Sequence, residues 1–259
     1  MRHLARKRFG QHFLEDRDVV RAMLDAMAPR RDDAVVEIGP GLGALTAPLL
    51  ERLDHLHVVE IDRDLCARLR ARFAPERLAV HEGDALEFDF ATLPAALRVV
   101  GNLPYNISTP LLFHLSGVAQ RCVDLHLMLQ KEVVDRLAAA PGSKDYGRLS
   151  VMLQYRYRVD RLIDVPASAF RPQPKVASAV VRLVPRPAAQ LAARDAGTFA
   201  RVVKAAFATR RKIVKNSLSG LLSAVDIQAL GIDPSSRAED LPVPAFIAIA
   251  NSMREAGPR

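Results

Sequence analysis

The chain has 259 residues, 49% hydrophobic and 25% charged, a composition that excludes a disordered or low-complexity polymer and fits one large domain or a medium domain with a small one. Its formal net charge of +8 favours a polyanionic partner, because each Lys or Arg set on a phosphate releases counterions. Two distant cysteines, Cys66 and Cys122, argue against a disulfide framework or a metal site and fit a reducing cytosol.

The N-terminus is basic (Arg2, Arg6, Lys7, Arg8), but no apolar stretch follows, which argues against a secretory leader. No apolar run approaches a membrane span. From residue 34 onward, strand and helix patterns alternate. Strands are predicted at 34–38, 56–61, 78–81, 97–100 and 125–129, and helices at 45–53, 65–73 and 131–140. This alternation predicts an α/β fold, a parallel sheet with helices on both faces. The pattern then changes. Residues 149–159 and 177–184 read as strands joined by a proline-rich stretch (Pro166, Pro172, Pro174), an antiparallel pair closing the sheet. Pro185-Arg186-Pro187 reads as a linker, and only helical patterns follow. The expected division is a catalytic domain over 1–185 and a small all-α domain over 186–259.

A glycine-rich loop, Gly39-Pro40-Gly41-Leu42-Gly43, follows the first of these strands, two residues after Glu37. A dinucleotide site uses G-x-G-x-x-G, which rests pyrophosphate on a helix N-terminus. Here the spacing is G-x-G-x-G, and a carboxylate at Glu37 repels pyrophosphate. Beside an ammonium or sulfonium it attracts. Glu60 ends the second of these strands about 20 residues past the loop, where a carboxylate can accept from ribose hydroxyls. Asp84 follows the third and can accept from an adenine amino group. Each acid alone is an ordinary loop acid. Together at the carboxyl ends of three strands they define one crevice, and they favour S-adenosylmethionine over NAD.

The fourth strand runs into Asn102-Leu103-Pro104-Tyr105. An exocyclic adenine nitrogen is a poor nucleophile, because its lone pair is delocalised into the ring. Two acceptors on its hydrogens, the Asn102 side-chain oxygen and the Leu103 carbonyl, pull it toward sp3. Pro104 rigidifies the turn and Tyr105 offers a stacking face for a flipped base. A plain Asn-Pro turn beside a core tyrosine is the bland alternative. Cysteine attack on a pyrimidine is the rival chemistry, but neither cysteine falls in a loop near the crevice.

Gly10-Gln-His-Phe-Leu14, Glu37-Ile-Gly-Pro-Gly-Leu-Gly43, Val59-Glu-Ile-Asp62, Gly83-Asp-Ala85, Asn102-Leu-Pro-Tyr-Asn-Ile-Ser-Thr-Pro110 and Phe170-Arg-Pro-Gln-Pro-Lys-Val-Ala-Ser178 occur in that order. On these motifs the chain resembles the bacterial family of 16S ribosomal RNA adenine-N6 dimethyltransferases along its whole length. The resemblance implies a Rossmann-like class I S-adenosylmethionine methyltransferase, with a seven-stranded, mostly parallel sheet. It implies dimethylation of two adjacent adenosines in the 3′-terminal hairpin loop of small-subunit rRNA, late in subunit biogenesis, by a cytoplasmic monomer that uses no metal. It places Gln11, His12 and Leu14 over the methyl donor, with Glu37, Gly39, Gly41, Gly43, Glu60, Ile61, Asp84, Ala85 and Asn102 around it. It makes Phe170 the aromatic that stacks the target base opposite Tyr105. His12 is a departure, since many members carry Asn there.

Residues 201–215 hold Arg201, Lys204, Arg210, Arg211, Lys212 and Lys215 without one acid. On one continuous helix, Arg201, Lys204, Arg211 and Lys215 share a face, and Val203, Phe207, Val214 and Leu218 share another. The basic face is expected to meet RNA phosphate; a merely solvated charged face is the alternative. Residues 185–259 carry eleven basic and six acidic side chains, most of the surplus charge. Two other functions compete. A ribosome-assembly factor that only inspects RNA has no need of an intact Asn102–Tyr105 motif. A transcription-cofactor role, as in mitochondrial relatives, goes with a transit leader that is not seen here.

Overall fold

The computed structural model describes residues 6, 10–209 and 211–253. Arg2, Lys7, Arg8 and Arg210 of the basic stretches lie outside the described residues.

In chain order the elements are β1 (Phe13–Leu14), α1 (Arg17–Met27), β2 (Val35–Ile38), α2 (Thr46–Arg52), β3 (Leu56–Glu60), α3 (Arg63–Arg72), β4 (Leu78–Glu82), β5 (Leu97–Asn102), α4 (Ser108–Gly117), β6 (Cys122–Gln130), α5 (Lys131–Ala138), α6 (Arg148–Arg156), β7 (Tyr157–Val165), β8 (Phe170–Arg171), β9 (Ser178–Pro185), α7 (Ala196–Ala206), α8 (Val214–Ser217), α9 (Ala224–Ala229) and α10 (Val243–Ser252). The chain divides into two compact units, Met1–Val134 with Arg158–Pro185, and Asp135–Tyr157 with Arg186–Arg259.

The first unit is built on a seven-stranded sheet of order β4-β3-β2-β5-β6-β9-β7. β4, β3, β2, β5 and β6 are parallel, and β9 runs antiparallel to β6. β2 is buried along its whole length, as a central strand covered on both faces must be, which is why Val35-Val36-Glu37-Ile38 carries no polar alternation apart from Glu37. From β2 the chain steps outward through β3 to β4, then returns to β5 on the other side of β2. The order reverses between β2 and β5, so a crevice opens there at the carboxyl edge. A short two-stranded ladder, β1 against β8, pairs Leu14 with Phe170 and Phe13 with Arg171. α1 begins where Asp16 accepts from the main-chain N–H groups of Asp18 and Val19, and it buries Val19, Met23, Leu24 and Met27 in the core beneath the sheet.

The second unit has its own core, in which Tyr155 packs on Phe199 at 4.4 Å between ring centroids and the Tyr146 hydroxyl donates to the Leu241 carbonyl at 3.0 Å. The expected boundary put residues 135–157 with the sheet. They side with the C-terminal helices because Tyr146, Val151 and Tyr155 belong to that core.

Two further expectations differ. Residues 149–156 form most of helix α6, and the strand runs over Tyr157–Val165 instead. The alternation Leu153, Tyr155, Tyr157, Val159 imitates a strand, but Gln154 donates to the carbonyls of both Leu137 and Ala139 at 2.8 Å, and the Gly147 N–H donates to the Ser150 hydroxyl at 3.0 Å, opening the helix. Residues 201–215 are not one helix. α7 stops at Ala206, and the chain turns so that the Val214 N–H meets the Ser236 carbonyl at 2.8 Å. Val203, Val214 and Leu218 are buried all the same, from two short helices. Among the described residues no helix is long and apolar enough to cross a membrane.

Candidate active site at the carboxyl edge of the sheet

The crevice is a cavity of about 320 Å³. Gln11, His12, Leu14, Glu37, Gly39, Gly41, Glu60, Ile61, Asp84, Ala85, Asn102, Leu103, Pro104 and Tyr105 all line it. The volume is that of a small-ligand site. Of the expected residues, Gly43 and Phe170 are absent from its wall. Gly43 lies behind the loop, where its N–H closes a turn onto the Pro40 carbonyl at 2.9 Å.

Glu37 and Glu60 sit in β2 and at the end of β3, fixed by main-chain pairing, and Asp84 follows two residues after β4. Glu37 is 1% exposed, and its carboxyl accepts from the Thr46 hydroxyl at 2.6 Å. Burial pushes this carboxyl up to about 8; the Thr46 hydrogen bond opposes the shift and the nearby Glu60 adds to it. Glu60 accepts from the Gly41 N–H at 3.1 Å and the Asp62 N–H at 2.9 Å, one on each oxygen. Burial raises its carboxyl above the usual range while those two N–H groups favour its charge. Asp84 accepts from the Leu86 N–H at 2.9 Å through one oxygen. Gly41 holds φ at +57°, and a side-chain carbon there would stand 3.1 Å from the Phe13 ring, so only glycine lets the loop lie so near both Phe13 and Glu60.

Asn102 ends β5, next to Gly101, where a side-chain carbon would meet the Ile38 carbonyl at 2.5 Å; β5 can lie against β2 here only with a bare backbone. The Asn102 side chain donates from Nδ2 to the His12 carbonyl at 2.9 Å. A carbonyl can only accept, so it fixes Nδ2 as the end of the amide that faces it and leaves Oδ1 as the other end, an acceptor. The Leu103 N–H is tied to the Met128 carbonyl at 3.1 Å. Pro104 accepts from the Ser108 hydroxyl at 3.0 Å, which pins the turn. The Tyr105 hydroxyl shares a 2.7 Å hydrogen bond with the buried Ser178 hydroxyl, and burial raises its phenol.

Several residues of the site escaped sequence reasoning. Arg6 does not stand free for nucleic acid: it pairs with Asp62 at 2.9 Å and with Asp64. Gln11 accepts from the Arg6 N–H at 2.7 Å and donates to Asp62 at 3.2 Å. Asp62 thereby ties the N-terminal segment to the start of α3. Its place as the N-cap residue of that helix was the available signal. Ser178 gave none, because its partner lies 73 residues away. Phe170 does not line the cavity: its ring is buried with Leu14 and Val180 beside it.

The fit to a methyl-donor nucleoside can be judged on the wall itself. Two large apolar side chains are left open, Leu42 at 41% and Ile61 at 42%, and both line the cavity, as surfaces awaiting an aromatic ring and an aliphatic tail would. Glu60 and Asp84 keep acceptor capacity beyond their main-chain bonds, and Glu37 is a carboxyl with a single hydrogen-bond donor on it. These residues suit a diol, an amino group and a cation.

A doubly wound sheet closed by an antiparallel strand, with this acid-rimmed crevice at its switch point, defines a Rossmann-like methyltransferase. The sequence model described as ribosomal RNA adenine dimethylase matches residues 2–255, and the chain belongs to that family. It is 62% identical over 257 residues, 99% of this chain and 97% of the other, to the ribosomal RNA small subunit methyltransferase A of Aromatoleum aromaticum. It is 57% identical over 251 residues to the protein of the same name from Dechloromonas aromatica, covering 97% and 98% of the two chains. Among solved structures the fold is shared with a dimethyladenosine transferase from Plasmodium falciparum (TM-score 0.78, 24% identity, 92% and 96% covered). It is also shared with the 23S rRNA methyltransferase ErmE (TM-score 0.73, 24% identity, 93% and 99% covered).

Arg201, Lys204, Arg211 and Lys215 are all exposed, on or beside α7 and α8 in the second unit. They do not lie along one helix face, and Lys215 has Asp233 for a neighbour.

Proposed function

We propose that the chain dimethylates N6 of two adjacent adenosines in the 3′-terminal hairpin loop of small-subunit ribosomal RNA, within the small subunit, in the cytoplasm and as a monomer. The observation that carries this is the Asn102 amide at the wall of an acid-rimmed cavity, its Nδ2 committed to the His12 carbonyl so that Oδ1 is the remaining polar end. The full-length similarity to proteins named small subunit methyltransferase A favours small-subunit RNA as the substrate.

S-adenosylmethionine, when bound, supplies an electrophilic methyl group on a sulfonium sulfur. Glu60 would accept from its ribose hydroxyls, Asp84 from its adenine amino group, and Glu37 would face its cationic end, with Gln11, His12 and Leu14 closing the cavity from the N-terminal side. The target base, flipped out of its loop, would stack on Tyr105, whose ring is steadied by Ser178. Asn102 Oδ1 and the Leu103 carbonyl would then accept the two N6 hydrogens. Both acceptors are preorganised, so little reorganisation is needed as the nitrogen turns toward sp3 and its lone pair leaves the ring π-system. The methylated nitrogen is acidic and releases its proton to water, so the site needs no strong side-chain base.

Arg201, Lys204, Arg211 and Lys215 would hold RNA phosphate from the helical unit, which we take as the RNA-binding part. The test is methyl transfer from labelled donor to undermethylated small subunits, followed by digestion and nucleoside identification. Dimethyladenosine is expected; a methylated pyrimidine or no product would overturn the proposal.

A further inference from the structure

Among the described residues Glu37 has one hydrogen-bond donor, and that donor is not a wall residue. The Thr46 hydroxyl stands 2.6 Å from Glu37 Oε2 and both residues are buried, yet Glu37 lines the cavity and Thr46 does not. We propose that Thr46 is a positioning residue of the cofactor site, whose hydroxyl holds the Glu37 carboxyl at the cavity and readies it to carry charge facing the cationic end of the methyl donor; this rests on the methyltransferase function proposed above.

The glycine loop delivers this hydroxyl. Gly43 holds φ at +83°, a region that glycine enters freely, and the Ala47 N–H donates to the Gly43 carbonyl at 3.2 Å. The chain therefore turns directly from the loop into α2, whose first residue is Thr46. A side-chain carbon on Gly43 would stand 3.7 Å from Thr46 Cβ, so the third glycine of the loop packs on Thr46 and away from the cavity. A helical threonine ordinarily turns its hydroxyl to a carbonyl of its own preceding turn. Thr46 spends its hydroxyl on Glu37 instead, nine residues earlier on β2.

A hydroxyl suits both charge states of a carboxyl: it donates to the carboxylate and can accept the proton of the acid. Its bond to the carboxylate is the stronger, because a charged acceptor strengthens a hydrogen bond. Thr46 therefore favours ionisation, against the burial that pushes this carboxyl up to about 8. The other groups around Glu37 do not replace it. Glu60 on β3 opposes a second negative charge. Asp84 after β4 and His12 before β1 line the same cavity, and Asn102 at the end of β5 is uncharged. The charged residues of α2, Glu51 and Arg52, lie at its far end, with Arg52 paired to Asp25 at 2.9 Å. Arg72 of α3 reaches the loop at the Leu42 carbonyl, 3.5 Å away. Without the Thr46 hydroxyl, burial and Glu60 would act on Glu37 unopposed, and an incoming cation would meet a neutral acid.

The test uses the full chain with Thr46→Val and Thr46→Ala, two hydroxyl-free variants of different bulk, and Thr46→Ser, which keeps the hydroxyl. First, the Glu37 carboxyl is titrated in the free protein by carbon NMR on glutamate labelled at the side-chain carboxyl, with Glu37→Gln assigning the signal. The parent midpoint should fall at about 8. It should rise by about one pH unit in Thr46→Val and Thr46→Ala, as loss of a hydrogen bond to a charged group implies, and return to the parent's in Thr46→Ser. Second, S-adenosylmethionine affinity is measured by calorimetry from pH 6 to pH 9. Thr46→Val should bind roughly tenfold more weakly than the parent at pH 7 and only about twofold more weakly at pH 9, where the carboxyl ionises in both. In a Glu37→Gln background Thr46→Val should cost no further affinity. An unmoved Glu37 midpoint in the hydroxyl-free variants, or a loss of affinity that is the same at every pH, overturns the inference. A parent that binds no S-adenosylmethionine at any pH removes the proposed function, whereas a parent that binds it, with Thr46→Val following the same pH profile, removes Thr46 alone.

Discussion

The Asn102 side-chain amide donates to the main-chain carbonyl of His12, 2.9 Å away and 90 residues earlier in the chain. The amide proposed to grip the target nitrogen is therefore held by a segment outside the sheet. That segment is itself tethered through Gln11 and Arg6 to Asp62 at the start of α3. On the proposed reading the donor cavity and the base site share a wall, and changes on either side should be felt in the other.

Glu37 should make cofactor binding depend on pH. Burial places its carboxyl at about 8 in the free protein, so it is largely protonated at neutral pH. A bound cation favours the carboxylate, so binding releases a proton. Affinity for S-adenosylmethionine should tighten as pH rises from 6 to 8 and level off above. Glu37→Gln should weaken binding and flatten the profile. Calorimetry in two buffers of different ionisation enthalpy reads the proton directly; pH-independent affinity in the parent contradicts the assignment.

The same group gives a stability prediction with a definite sign. Its folded value lies above the 4.5 of an ordinary Glu, so its favourable contribution is full below pH 4.5 and is lost as pH rises toward 8. Glu37→Gln should therefore raise the Tm of the free protein at pH 8, by roughly 2–8 °C, and leave it nearly unchanged at pH 4.5. A Tm that falls equally at both pH values would contradict this.

Glu60→Ala should weaken cofactor binding by roughly 10- to 100-fold, the range for hydrogen bonds to a charged acceptor. It also strands the N–H groups of Gly41 and Asp62, so thermal stability should drop with it. Unaltered affinity for the cofactor would remove Glu60 from the ribose.

Tyr105 and Ser178 should act as a unit. Ser178→Ala and Tyr105→Phe each break the same 2.7 Å hydrogen bond, and each should lower kcat by a few-fold. The double variant should be little worse than either single one, because one interaction cannot be lost twice. Additive losses would mean that the two side chains contribute separately.

Neutralising Lys204, Arg211 and Lys215 together should weaken RNA binding and reduce the slope of log affinity against log salt by about 2, given 0.7 to 0.9 per phosphate contact. An identical slope in parent and variant would place the RNA elsewhere on the molecule.

The sheet and its crevice were legible in the sequence because Glu37, Glu60, Asp84 and Asn102 each sit at or just beyond the end of a strand, where local pattern fixes position. What was not legible depends on distant partners. That Phe170 pairs with Leu14 in the β1–β8 ladder and has its ring buried is set by a segment more than 150 residues earlier. The alternating run through Tyr155 and Tyr157 satisfies a strand pattern, and only the carbonyls of Leu137 and Ala139, which need Gln154 on a helix, decide otherwise. The basic stretch around Arg211 reads as one helix until Val214 finds Ser236. The contact of His12 with Tyr105 and the bond of Ser178 to Tyr105 join segments far apart in the chain, which periodicity does not register.

Single-turnover methyl transfer by Asn102→Ala, with RNA affinity measured alongside, probes the gripping oxygen most directly. A loss in rate of at least about 100-fold, the scale of removing one preorganised polar partner, is expected with RNA binding nearly intact. A rate equal to the parent's would show that the nitrogen is activated without Asn102.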